Sequence, residues 1–169
     1  MKIVFFSFYY PPDLSAGSFR SVALSKALAE KIRPNDELHV ITTKPNRYKS
    51  HRVNADHKEA SGKIIIHRIS IPSHKSTMIS QAYAYILYAF PAFNICRKIK
   101  PDFLIGTSSR LMTGVLTYIS AKFLRRKYYI DLRDIFSETI SDLFALKSNF
   151  LSFIFRSFFS FLDKKMLNS

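Results

Sequence analysis

Five apolar runs of strand length recur along the chain: KIVFFSF (Lys2 to Phe8), ELHVITT (Glu37 to Thr43), KIIIHRI (Lys63 to Ile69), DFLIGT (Asp102 to Thr107) and KYYIDL (Lys127 to Leu132). Most of their residues are β-branched or aromatic, and the runs are nearly continuous in apolar character. That pattern predicts strands buried on both faces. Between the first two, Phe19, Ala23, Leu24, Ala27, Leu28 and Ile32 recur at helical spacing, which predicts an amphipathic helix over Ser18 to Ile32 with Ser18 as N-cap. Two further helices are expected over Tyr83 to Ile99 and Leu111 to Leu124. Strands and helices thus alternate, the mark of an α/β domain with a Rossmann-like parallel sheet and helices on both faces. Lys44 to Gly62 is polar and basic without an apolar period, and predicts an exposed loop on the far side of the sheet.

At 169 residues and 47% hydrophobic content the chain suits one domain over residues 1–169. Its single cysteine, Cys96, has no partner for a disulfide, and no Cys/His set has zinc-ligand spacing, so no metal is expected. A reducing cytoplasm is the simplest setting. Lys and Arg outnumber Asp and Glu by 26 to 12, for a net charge of +14. Such an excess favours an anionic partner: nucleic acid, phospholipid or a phosphorylated substrate. No recognition helix or aromatic RNA-binding motif accompanies the charge, which argues against nucleic acid. Met78 to Cys96 carries no charged residue and approaches the length of a membrane span. Ser80, Gln81, Asn94, Pro91 and three tyrosines make it a buried or interfacial helix instead. The N-terminal run stops at Pro11 without a small-residue cleavage site and reads as a strand.

In open parallel sheets, ligands bind beyond the carboxyl ends of the strands. Three segments should converge there: Ser7 to Arg20, Ser108 to Arg110, and Arg133 to Glu138. In the first, FYYPPDLSAGSFR, prolines stiffen the chain and Gly17 allows close backbone approach ahead of a helix start. Amide groups near Ser18, with Arg20, could hold an anion such as a diphosphate; the plainer alternative is a turn with a solvated arginine. Neither G-x-G-x-x-G nor G-x-x-x-x-G-K-[ST] is present, which argues against a nicotinamide cofactor and a P-loop. The third segment gathers Asp131, Arg133, Asp134 and Glu138 at a strand end, where a cleft of low dielectric could shift them toward acid or base roles.

Three features occur together: hydrophobic-Pro-Pro followed by Gly17 and Arg20 after the first strand, Pro101-Asp102 before the fourth, and Arg133-Asp134 after the fifth. Together they resemble the N-terminal domain of GT-B glycosyltransferases of family 4, in particular those that build bacterial surface polysaccharides such as O-antigen. The resemblance implies the acceptor-side half of a two-domain enzyme that moves a sugar from a nucleotide-sugar to a polyprenyl-diphosphate-linked saccharide. It implies that Gly17 and Ser18 approach the donor diphosphate with Arg20, and that Ser108, Ser109 and Arg110 line the same cleft. Arg133, Asp134 and Glu138 then lie near the reacting sugar as catalytic candidates, with no metal and no bound cofactor required. The sequence departs from the family in having Ala16 before Gly17 where two glycines are common, and Phe136-Ser137 where relatives carry Trp-Pro.

The donor-binding domain of such enzymes has no counterpart here, so a split partner or a further domain is expected to supply it. The basic clusters at Arg97, Lys98 and Lys100 and at Lys122, Arg125, Arg126 and Lys127 suit docking on anionic lipid, as for a cytoplasmic enzyme peripheral to the inner face of the membrane. Phe150 to Leu162 is rich in phenylalanine and needs a cover from another domain or a bilayer. Two rival readings remain: a non-catalytic interaction module with the same fold, and a small nucleotide-binding protein.

Overall fold

The first strand, β1 (Lys2–Phe6), forms the centre of the sheet because its side chains are apolar on both sides. Val4 and Phe6 enter one core and Ile3 and Phe5 the other. The remaining elements are α1 (Ala16–Lys31), β2 (Glu37–Thr43), β3 (Lys58–Ser61), β4 (Ile64–Ile69), α2 (Met78–Ile99), β5 (Phe103–Thr107), α3 (Leu111–Leu124) and β6 (Lys127–Asp131). The sheet order is β3-β4-β2-β1-β5-β6, parallel throughout except for the β3–β4 hairpin. This computed structural model describes residues 1–45, 55–72, 77–107 and 111–131, all within one compact unit, Met1–Asp131. A second unit, Leu132–Ser169, lies outside the described residues.

The Rossmann-like α/β architecture is therefore as the alternating pattern predicts. Helix α1 covers one face, with Val22, Leu24, Leu28, Ala29 and Ile32 against Leu38, Val40, Ile64 and Ile66. Helices α2 and α3 cover the other, where Tyr85, Tyr88, Ala92, Cys96, Leu116 and Ala121 meet Val4, Phe6, Phe8, Ile41 and Leu104. Cys96 is a buried core residue, its thiol pushed up to about 12 by burial and so chemically quiet.

Three sequence expectations need correction. The N-cap of helix α1 lies three residues earlier than expected: it is Ser15, its hydroxyl accepting the Ser18 amide at 3.1 Å, so Ser18 sits inside the first turn. Its innermost face is also different, being Gly17, Ser18, Ser21 and Ser25, while Phe19, Ala23 and Ala27 are exposed. Small serines let the helix lie close to the chain that leaves β1, and the hydroxyls of Ser21 and Ser25 find partners there. Ser21 Oγ donates to Gly17 O and contacts Ser7 Oγ, and Ser25 Oγ pairs with Tyr10 OH, each of these at 2.7 Å. Finally, the Lys44–Gly62 stretch holds a strand. Residues KEAS pair with β4 although all four are exposed, because Gly62, at φ +58°, makes the tight turn that folds the hairpin.

Helix α2 is five residues longer than its apolar period suggests and continues through Pro91. Among the described residues no helix is long and apolar enough to cross a membrane. Both α2 and α3 end on a cation in the left-handed conformation, Lys100 at φ 55° and Arg125 at φ 54°. Behind Arg125, the Arg126 amide reaches Ala121 O and the Arg125 amide reaches Lys122 O, the paired bonds of a Schellman ending.

The seat of α3 depends on Gly106 in β5. A Cβ there would stand 2.0 Å from Thr117 Oγ1 and 2.9 Å from Thr117 Cβ, and Thr117 is held by its own bond to Thr113 O at 2.8 Å. Gly106→Ala should therefore lift α3 off the sheet and lower unfolding stability by about 2–3 kcal/mol in denaturant titration. Adding Thr117→Ala should return part of that loss, the coupling expected of residues in direct contact.

Candidate functional site

Strands β1 and β5 are adjacent and their connections leave to opposite faces, β1 into α1 and β5 into α3. A crevice opens at such a switch point beyond the strand ends. The exit from β1 is fixed tightly. The Phe8 carbonyl accepts from Thr43 Oγ1 at 2.7 Å and from Thr42 Oγ1 at 3.3 Å, and the Ser7 amide reaches Ile41 O at 3.1 Å. Ser7 Oγ donates to Tyr9 O at 2.8 Å, which turns the chain into the Pro11–Pro12 cis peptide. Tyr88, fully buried, donates to Ile41 O at 2.8 Å from beneath, and burial holds its phenol well above the ordinary range.

The Pro-Pro loop is fastened from the side by a buried cation. Arg68 in β4 donates through Nη2 to Pro11 O at 3.0 Å, and its Nη1 stands 2.8 Å from Glu59 Oε2 in β3. The hairpin thus supplies the counter-charge that lets a guanidinium be buried beside the loop. Arg68 Nε has no hydrogen-bond partner among the described residues. The one charge in the otherwise apolar IIIHRI strand was the available signal for this role.

The first turn of α1 lies at this same end of the sheet. Gly17 and Ser18 are buried, and the Ser18 hydroxyl makes no hydrogen bond among the described residues. Arg20 is the side chain that this turn projects, half in solvent. Its Nε and Nη2 grip the two oxygens of Asp131 at 2.9 and 2.7 Å, a bidentate fork across the crevice from α1 to the end of β6. Thr107 Oγ1, at the end of β5, donates to the same carboxylate at 3.4 Å. The bond to Asp131 and its negative charge raise the guanidinium above its ordinary pKa. No acidic residue lies in the first turn of α1, so the helix amides there favour an anion. Exposed Leu14 and Phe19 flank the turn with apolar surface.

Of the residues singled out from sequence, Gly17, Ser18 and Arg20 thus come together at the strand ends, and Arg20 is engaged by a carboxylate rather than standing alone in solvent. Ser108, Ser109, Arg110, Arg133, Asp134 and Glu138 lie outside the described residues, though they directly follow Thr107 and Asp131 in the chain. Asp131 takes a larger part than its place in the DLRD cluster suggested. Its partner is 111 positions away, and only the sheet order brings the ends of α1 and β6 together. Among the described residues no cluster of three or more His, Cys, Asp or Glu could hold a metal ion.

Compared with the models of known protein families and with curated proteins, the chain matches none.

A second titratable group lies low on the sheet, on the face that carries α2 and α3. His39 Nδ1 is 3.1 Å from His67 Nε2, and His39 Nε2 is 3.1 Å from Glu37 Oε2. One tautomer satisfies all three: His67 Nε2–H donates to His39, whose Nε2–H donates to Glu37. Desolvation, then the neighbouring His39 and Lys58, lower His67 to about 4; desolvation also lowers His39, opposed by Glu37 and assisted by Lys2 and Lys58. Both rings are therefore neutral near pH 7. Below the ordinary value of 6.5 the unfolded chain takes up protons that the folded chain refuses, so stability falls between pH 6.5 and about 4. The melting temperature should drop across that window, and the drop should be smaller in His67→Gln.

Proposed function

We propose that this chain is the acceptor-side half of a GT-B-type glycosyltransferase, acting on a polyprenyl-diphosphate-linked saccharide with a nucleotide-sugar as donor. The observation that carries the reading is the α1–β6 fork. An anion-favouring helix N-terminus, a half-exposed arginine and a carboxylate meet at the switch point of a Rossmann-like sheet, beside exposed Leu14 and Phe19. A diphosphate bound to a prenyl chain combines the same two characters, charge and apolar length. In the reaction, an acceptor hydroxyl oxygen bonds to the anomeric carbon as the bond from that carbon to the diphosphate breaks. The electron pair leaves on the diphosphate, and the hydroxyl proton passes to a basic oxygen. Asp134 is the side chain assigned beside the reacting sugar, with Arg133 and Glu138; Arg20, Ser108, Ser109 and Arg110 are assigned to the charged groups. Helix amides and basic side chains would bear the leaving charge without a metal. A polyprenyl-linked acceptor sets the place of work at the inner face of the cell membrane.

The mutual neutralisation of Arg20 and Asp131 favours a second reading, a non-catalytic module in which the fork serves only to tie α1 to β6. Vesicle binding separates the two. At matched surface charge, vesicles that contain polyprenyl diphosphate should bind the chain at least tenfold more tightly than vesicles without it, and Arg20→Ala should remove that gain while leaving the circular dichroism spectrum unchanged. Equal binding to both kinds of vesicle overturns the enzyme reading in favour of the module.

A further inference from the structure

Helices α2 and α3 turn apolar surface outward as well as inward. On α2, Tyr83, Ile86 and Phe90 follow one another at helical spacing and are exposed, Phe90 by 74%. On α3, Met112, Ile119 and Phe123 do the same, Phe123 by 63%. Phe93 meets Phe123 edge-on with ring centres 5.2 Å apart, so the two stripes join across the helix pair. Each stripe runs into cations at the helix C-terminus: Arg97, Lys98 and Lys100 on one, Lys122, Arg125 and Arg126 on the other, all exposed. Neither helix contains a single Asp or Glu. Basic residues at helix C-termini complement the helix dipole, but one or two per helix suffice for that, and the dipole does not account for a ridge of exposed aromatics.

We propose that this outward face of α2 and α3 docks on an anionic lipid bilayer, with Phe90 and Phe123 entering the head-group and acyl boundary and the C-terminal cations resting on lipid phosphates. The charge selects the occupant: an apolar ridge bordered by cations, with no acidic residue on either helix, matches an anionic interface and repels a second copy of itself. Because no described helix is suited to span, the helices lie along the surface. Their N-termini start at the strand ends, so α2, about 33 Å long at helical rise, carries the crevice sideways along the membrane at its edge. This deepens the reading above, from which it takes the bilayer as the place of work; its test needs no polyprenyl lipid and no transfer.

The chain contains no tryptophan, so one placed by substitution reports alone. With vesicles of phosphatidylcholine containing phosphatidylglycerol, Phe90→Trp and Phe123→Trp should shift to the blue and be quenched by acyl-brominated lipid. Ala23→Trp, on α1 across the sheet, should do neither. Phe90→Ser with Phe123→Ser, both exposed positions, should weaken sedimentation with these vesicles about tenfold. Replacing Arg97, Lys98 and Lys122 by Ser should weaken it as much or more, and raised salt should act in the same direction. Lys26→Ser, which removes an exposed cation from α1 across the sheet, should sediment like the unmodified chain. Equal binding to pure phosphatidylcholine, equal quenching at position 23, or a concentration-dependent dimer abolished by the Phe→Ser pair would each overturn the proposal.

Discussion

Everything in this fold follows from a central strand that must be apolar on both sides. Because Val4 and Phe6 face one helical layer and Ile3 and Phe5 the other, β1 can lie only in the middle of the sheet, with helices above and below. A strand so placed has neighbours whose connections leave in opposite directions, and the opening between β1 and β5 is a result of that geometry. Polar groups then gather where the apolar run ends. Ser7, Thr42 and Thr43 take over the hydrogen bonding of the backbone at the point where the sheet stops supplying partners.

The loop that leaves β1 is held by its surroundings more than by its own sequence. Arg68 grips Pro11 from the hairpin side, and α1 closes on the Ser7–Tyr10 segment through serine hydroxyls. A helix seated by small residues can sit close, and that closeness brings the first turn within reach of β6. The fork from Arg20 to Asp131 is thus the product of two remote choices, serines along the inner face of α1 and a strand order that sets β6 beside β5.

How much of this was legible in the sequence depends on how local the determining contacts are. The bounds of β2 and of α3 agree with the apolar pattern, because continuous burial leaves a continuous signal. Helix α1 is located by Phe19, Ala23, Leu24, Ala27, Leu28 and Ile32, of which Leu24, Leu28 and Ile32 pack against the sheet while Phe19, Ala23 and Ala27 are exposed; the innermost positions are serines, which read as polar. Strand β3 has no burial of its own and is formed by a turn, so hydropathy carries no trace of it. At the crevice, Gly17, Ser18 and Arg20 were accessible from their place after a strand, whereas the bond of Arg20 to Asp131 and the clamp by Arg68 depend on contacts between distant segments.

The two helix ends at Lys100 and Arg125 have a further consequence. A left-handed residue with a side chain costs about 1–2 kcal/mol relative to glycine, the usual occupant of such ends. Glycine at either position would relax the backbone and delete a cation in the same stroke. The chain has only four glycines and places none at these ends. Thermal robustness and surface charge therefore pull against each other at these two residues, and a variant selected solely for heat tolerance would be expected to drift toward a less basic molecule.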